Sequence, residues 1–352
     1  MKRKPTVIDV ARRAGVSQPT VSRVLNNHPH IRESTRAKVL QAIQELQFTP
    51  DAVARSLVRS KSSTLGLIVG DLSNPFYAET AKCIIRSAHE SDYEVIMLDT
   101  DYDDALFARC LRTLAAKRVD GIIVASVTRT DERVKELAAK GMPVVLYNRN
   151  LDDGSLPSVE ADNYMGAYMA MRHLAALGHR KAAFIAGPFQ FTTFYHRYRG
   201  FRAGMRDFGF DSHARLVYKG AYTYAEVLAF TRRLLERKDR PTAVFATTDQ
   251  MAIAVLDAAS RAGLRIPEDL SVIGYDNIDW ADNPYIGLTT ISAQKTAMAQ
   301  LALQQLLRVI EAKDEAGDEK KNMVLEPQLI VRKTTGPCPD SVQPGIPEPK
   351  IP

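Results

Sequence analysis

Apolar positions recur along this chain at two spacings, and the spacing changes once. At first they fall at helical intervals. Ile8, Val10, Ala11 and Ala14 line one short helix, and Val21, Val24 and Leu25 line a second at i, i+3 and i+4. Ala37, Val39, Leu40, Ile43 and Leu46 form the core side of a third, from Ser34 to about Gln47. Thr6 caps the first helix and Gly15 supplies the turn after it. Ser17 caps the second helix, and Pro19 falls in its first turn, where no helical N–H is lost. Two short helices joined by a Gly-containing turn predict a helix-turn-helix.

From Thr64 onward, short apolar runs alternate with amphipathic helices. Strands are predicted at Leu65–Val69, Glu94–Leu98, Gly121–Ala125 and Val144–Tyr147, with helices at Phe76–His89, Ala105–Lys117 and Glu132–Lys140. A second series places strands at Lys181–Ala186, Leu216–Tyr218, Ala243–Thr247 and Ser271–Gly274. Its helices are Met165–Leu177, Tyr195–Phe208, Ala225–Lys238 and Met251–Ala262. Two successive βα series predict two doubly wound parallel lobes. Residues 288–333 hold two more strand-like pieces around a helix at Met298–Ile310, expected to return to the first lobe. The fold class is therefore α/β, an all-helical helix-turn-helix domain followed by two doubly wound lobes. The expected boundaries are 1–50 for the helical domain, 51–63 for a short helix and linker, and 64–335 for the two-lobed core. The Pro-rich residues 336–352 are expected to be disordered.

Charge gives the helical domain a partner. Residues 1–61 hold 12 Lys and Arg against 4 Asp and Glu, whereas the whole chain is only +6. The basic excess is confined to the helix-turn-helix, the electrostatic footprint of a phosphate-binding domain. The outer face of the second helix carries Gln18, Thr20, Ser22, Arg23 and Asn26, a dense set of hydrogen-bonding side chains. The segment 51–61 has helical composition but is too short to be stable alone in water. Its basic flanks and the pair Val53 and Leu57 suggest a segment that folds only against DNA or a partner.

Other classes find little support. No run approaches 18 apolar residues, and the basic N-terminus is followed by no apolar core of a signal peptide. Cys83, Cys110 and Cys338 are scattered, without metal spacing, so a reducing, cytoplasmic setting is expected. No GxGxxG follows the first strand, and no Walker lysine, GxSxG or HExxH occurs. His89, His173 and His179 fall at helix ends, where capping is the expected role. No enzyme activity, cofactor or metal is expected.

In open parallel sheets, ligands bind outside the carboxyl ends of the strands. The residues just past the predicted strands are Asn74, Phe76 and Tyr77; Asn148 and Arg149; Asp162; Phe191, Thr193 and Arg197; Tyr222; Asp249; and Asp276. Carboxylates, guanidinium forks and rings together suit a polar ligand with an apolar face, and adjacent hydroxyls of a sugar or sugar acid fit it best. The plainer alternatives are helix caps for Asp162 and Asp249 and a surface charge for Arg197.

These residues together resemble the LacI/GalR family of bacterial transcription regulators over about residues 5–335. The resemblance rests on Thr6-Val7-Ile8-Asp9-Val10-Ala11, Gly15-Val16-Ser17 and Thr20-Val21-Ser22-Arg23-Val24-Leu25-Asn26. Asn74-Pro75-Phe76-Tyr77, Gly178-His179-Arg180 and Ile273-Gly274-Tyr275-Asp276-Asn277 also fit. It implies a homodimer with a core of periplasmic-binding-protein type, a small effector between the lobes, and palindromic operator DNA as partner. The segment matching Asp51–Val58 is the hinge helix, with Ala54 and Leu57 at the DNA and Leu57 as a minor-groove wedge. Gln18, Pro19 and Arg23 match positions that meet base edges. Thr20, Ser22 and Asn26 match or neighbour backbone contacts, and Thr6 and Ser17 are further expected DNA-binding residues. Two positions depart from the pattern. Phe191 stands where a purine-binding member has an arginine, which argues against a purine corepressor, and Asn148 stands where aspartate is common. The expected function is a ligand-responsive, sequence-specific repressor of sugar or sugar-acid genes. Its rivals are a receptor module with only nonspecific DNA association, and a global catabolite regulator with a phosphoprotein coregulator.

Overall fold

The computed structural model describes residues 5–25, 29–48, 61–211, 216–220, 223–312 and 322–339. The expected sites Asn26, Ala54, Leu57 and Tyr222 lie outside the described residues, as do most of the hinge segment and residues 340–352. The chain groups into two compact units that part between Ser62 and Ser63.

The first unit holds α1 (Val7–Ala14), α2 (Gln18–Leu25) and α3 (Glu33–Glu45). Thr6 and Asp9 form a reciprocal capping box: Asp9 N–H reaches Thr6 Oγ1 at 3.3 Å, and Thr6 N–H reaches Asp9 Oδ2 at 2.9 Å. Gly15 ends α1 at φ 65°, a left-handed turn that costs glycine least. Val10, Ala11, Val21, Val24, Val39, Ala42 and Phe48 make the small core. Three apolar residues expected on the core side, Ile8, Ala37 and Leu40, are instead exposed. Val7 and Ala42 lie on the inner stripes, because so small a core has room for only the central line of each helix.

The second unit contains two six-stranded sheets. The first lobe comprises β1 (Thr64–Val69), α4 (Pro75–Glu90), β2 (Glu94–Asp99), α5 (Asp104–Ala116), β3 (Gly121–Val124), α6 (Glu132–Ala139), β4 (Val144–Tyr147) and β5 (Ser158–Ala161). The second comprises α7 (Asn163–Ala176), β6 (Ala182–Ala186), α8 (Thr192–Asp207), β7 (Val217–Lys219), α9 (Tyr224–Leu235), β8 (Ala243–Ala246), α10 (Asp249–Arg261) and β9 (Ser271–Tyr275). The remaining strands are β10 (Thr289–Ser292), β11 (Asn322–Leu325) and β12 (Gln328–Ile330), with α11 (Lys295–Glu311) between β10 and β11. Strand order is β11-β5-β4-β3-β1-β2 in one sheet and β12-β10-β9-β8-β6-β7 in the other. All pairs are parallel except β10 with β12.

The chain thus crosses between lobes three times. The return of residues 288–333 to the first lobe holds for α11 and β11 only, whereas β10 and β12 complete the second sheet. Strand β5 lies outside the expected set, because its Ser-Val-Glu-Ala sequence lacks a continuous apolar run although all four residues are buried. The start of the expected disordered tail is also a correction. Gly336 N–H donates to Ser271 Oγ at 3.0 Å, Cys338 N–H donates to Leu177 O at 2.8 Å, and Cys338 is buried. His179, wholly buried, contacts Thr242, Ser271 and the carbonyl of Gly336, so it clamps this end of the chain instead of capping a helix.

Candidate functional site

In the first unit, burial of Val21 and Val24 turns the rest of α2 outward. Ser17, Gln18, Pro19 and Arg23 are exposed, and Thr20 and Ser22 are half-buried. The Ser17 carbonyl accepts the N–H groups of Thr20 and Val21, and the Ser17 and Thr20 hydroxyls lie 2.9 Å apart. Thr6 is half-buried, occupied in its capping box. The result is a short, firmly seated helix with a polar outer face, the geometry that enters a major groove.

In the second unit, the carboxyl ends of the strands of both lobes meet. Phe76 and Tyr77, in the first turn of α4, are buried with ring centroids 5.3 Å apart, and Phe76 stacks on Tyr147 at 6.2 Å. Asn148, just after β4, is held at φ 62°, and its buried Oδ1 meets no hydrogen-bond donor among the described residues. The Arg149 guanidinium lies 3.7 Å from the Phe191 ring centroid of the other lobe and 5.0 Å from that of Tyr102. Further along this rim, Asn150 N–H donates to Thr192 Oγ1 at 3.0 Å and Arg129 N–H to Gln190 O at 2.8 Å.

From α8, Arg197 reaches into the second lobe's side of the cleft. Its Nε donates to Asn163 Oδ1 at 2.8 Å, Nη1 donates to Thr247 O, and Nη2 lies 3.4 Å from Asp276 Oδ1. Its guanidinium also sits 3.4 Å from the Tyr275 ring centroid. Both charged side chains are almost fully buried. Burial pushes the Asp276 carboxyl up to about 6, against the pull of Arg197 and Lys295. The surface-charge alternative for Arg197 is excluded by this placement.

The other expected residues divide by role. Asn74 and Asp162 cap α4 and α7, their side chains accepting from Phe76 N–H at 3.0 Å and Met165 N–H at 2.8 Å. Thr193 is buried in the first turn of α8. Asp249 is not a helix cap, since Thr248 caps α10. It is wholly buried, accepting from Thr290 Oγ1 at 2.5 Å and Ile278 N–H at 2.9 Å, and burial raises its carboxyl well above the usual range. With both oxygens engaged inside the second lobe, it braces the Asp276 loop from behind. Asn163, Thr247, Tyr275 and Thr192 lie outside the expected set although each is within two residues of an expected one. Taking two residues on either side of each expected position would have included them. Tyr102 follows β2 in a polar turn and carries no such signal. Among the described residues, no group of three or more His, Cys, Asp and Glu could hold a metal ion.

Residues 62–328 match the model for periplasmic binding proteins and the sugar-binding domain of the LacI family, and residues 6–51 match that for bacterial regulatory proteins of the lacI family. The chain belongs to the LacI family. The LacI-family relatives include catabolite control protein A of Priestia megaterium, 38% identical across 77% of this chain and 82% of that protein. The transcriptional repressor PurR of Photobacterium profundum is 33% identical across 94% and 98%. Among solved structures, the lac repressor dimer bound to operator and the anti-inducer ONPF superposes with a TM-score of 0.83 at 28% identity, over 95% of this chain and all of that one. The transcriptional regulator CelR in complex with cellobiose gives 0.70 at 29%, over 94% and 99%. This LacI-family chain is a ligand-responsive DNA-binding transcriptional regulator. Among the described residues, none of its helices is long and apolar enough to cross a membrane.

Proposed function

We propose that this regulator is a repressor that binds a palindromic operator as a homodimer and takes a sugar or sugar acid between its lobes. The observation that carries the effector assignment is the buried Arg197–Asp276 pair at the carboxyl ends of the second lobe's strands. A guanidinium fork donates to, and a carboxylate accepts from, neighbouring hydroxyls, and vicinal hydroxyls are what sugars offer. Phe76 and Phe191 supply ring faces for the apolar side of a pyranose, and Asn148 Oδ1 is a further buried acceptor. Arg149, stacked on Phe191, adds a cation suited to the carboxylate of a sugar acid.

The exposed face of α2, with Gln18, Pro19 and Arg23, reads base edges, while Thr20, Ser22 and Asn26 hold the backbone and Thr6 and Ser17 add further DNA contacts. Ala54 and Leu57 act at the minor groove. Calorimetry of the full-length protein against monosaccharides, sugar acids and nucleosides tests the effector assignment. Binding of a sugar or sugar acid, abolished in Arg197→Ala and Asp276→Ala, is expected. Binding of nucleosides alone, or sugar binding indifferent to both substitutions, would overturn it.

A further inference from the structure

Asp276 and Asn277 leave β9 through a corner that ordinary side chains resist, at φ 113° and 51°. Within its own lobe this corner is held by Arg332, whose Nη2 donates to Asn277 Oδ1 at 2.9 Å. Within the same lobe Asp276 N–H also donates to Ile291 O at 2.8 Å, and Arg197 and Asp249 hold the loop. The opposite lobe adds a second attachment. Lys295, the first residue of α11, donates its Nζ to the Asn277 carbonyl. Glu79, in the second turn of α4, forms an ion pair with Lys295 Nζ at 3.0 Å through one oxygen, and accepts Asp279 N–H at 3.0 Å through the other. Both charged side chains are largely shielded from solvent. Both helices pack together in the first lobe, and α4 is the helix that carries Phe76 and Tyr77 into the cleft.

We propose that Glu79 and Lys295 are positioning residues that fasten the Asp276–Asn277 corner to the first lobe, so that one ion pair couples the loop of the effector carboxylate to the opposite lobe. This rests on the effector-cleft reading for what Asp276 does, while the fastening itself stands on the contacts alone. The rim at Asn150–Thr192 and Arg129–Gln190 joins the lobes through neutral hydrogen bonds, three of the four partners being backbone groups, which substitution leaves largely in place. At the Asp276–Asn277 corner the join runs instead through the Glu79–Lys295 ion pair. The ion pair therefore latches the corner to the first lobe beside the chain crossing at residues 292–295.

The test is amide hydrogen exchange on the ligand-free, full-length protein, followed over residues 277–282. Glu79→Ala and Lys295→Met are each expected to speed exchange there by about tenfold or more, while β1 and β3 keep wild-type protection. Combining the two substitutions should add little to either one, because they break the same latch. Lys295→Arg keeps the charge and should retain most of the protection, which a purely space-filling role for the lysine would not predict. Glu79→Gln keeps an acceptor for Asp279 and should fall between wild type and alanine; it also serves if the alanine variant does not fold. Unchanged exchange in the single variants, or effects that simply multiply in the double, would overturn the latch. Because no ligand is present in this experiment, a sugar panel without a binder would remove the effector reading and leave the latch standing.

Discussion

Arg197 Nη2 and Asp276 Oδ1 stand 3.4 Å apart with both side chains almost wholly excluded from water. Removing Arg197 leaves the buried Asp276 carboxylate offset only in part, by Lys295. Arg197→Ala is therefore expected to cost the core about 3–5 kcal/mol as well as effector binding. Urea unfolding of the core checks the first effect. A variant as stable as wild type would show that water or local rearrangement hydrates Asp276.

The same burial predicts a pH dependence of effector binding. Asp276 titrates near 6 in the folded chain, so its ionised form, the better acceptor of hydroxyl donors, dominates only above that pH. Affinity for the effector should fall as pH drops through 6, approaching about tenfold per pH unit. Asp276→Asn should bind more weakly but with a flat profile. An equally steep profile in that variant would assign the titration elsewhere.

Glu160 on β5 offers a stability prediction. It is buried, its Oε1 accepting from Asn150 Nδ2 at 3.3 Å, and desolvation raises its carboxyl to about 7. A carboxyl raised in this way binds its proton more tightly folded than unfolded. Its stabilising contribution is full at low pH and is lost as pH rises from the unfolded value through 7. Glu160→Gln should therefore gain on wild type between about pH 5 and pH 8, by at most about 3 kcal/mol. Matched denaturant titrations at the two pH values read this directly, and a constant difference would refute it.

For DNA recognition, Arg23 is exposed on the outer face of α2. If it forks onto a guanine, Arg23→Ala should cost about 1–3 kcal/mol at a selected operator and relax specificity at one base position. An equal loss on random-sequence DNA would make it a phosphate contact. Leu57→Ala should weaken operator binding strongly while leaving effector affinity near wild type.

The capping box gives a prediction confined to the helical unit. Thr6→Ala removes the Asp9 N–H acceptor and the Asp9 side chain's hydroxyl partner, and should destabilise that unit by about 1 kcal/mol. Thermal melting of residues 1–62 followed by circular dichroism would show it, and an unchanged midpoint would mean the box is redundant.

Whatever local rules carry was already legible along the chain. Helical periodicity with Thr6, Gly15 and Pro19 was enough for the helix-turn-helix, because caps and turns act within four residues. Alternating apolar runs and helices were enough for two parallel lobes, and the strand-end rule named Phe76, Asn148, Arg149, Phe191, Arg197 and Asp276. Which of these meet depends on packing between distant segments. Asp162 and Asn74 are spent on helix caps, and Asp249 turns inward to Thr290 and Ile278. Burial, not residue type, separates such a brace from a binding group. The Glu79–Lys295 pair, 216 residues apart in sequence, shows no pattern along the chain, because only the crossing of α11 into the first lobe brings the two charges together. The docking of Gly336 and Cys338 was hidden for the same reason: a Pro-rich composition reports which hydrogen bonds a segment lacks, not which groups elsewhere wait to receive the rest.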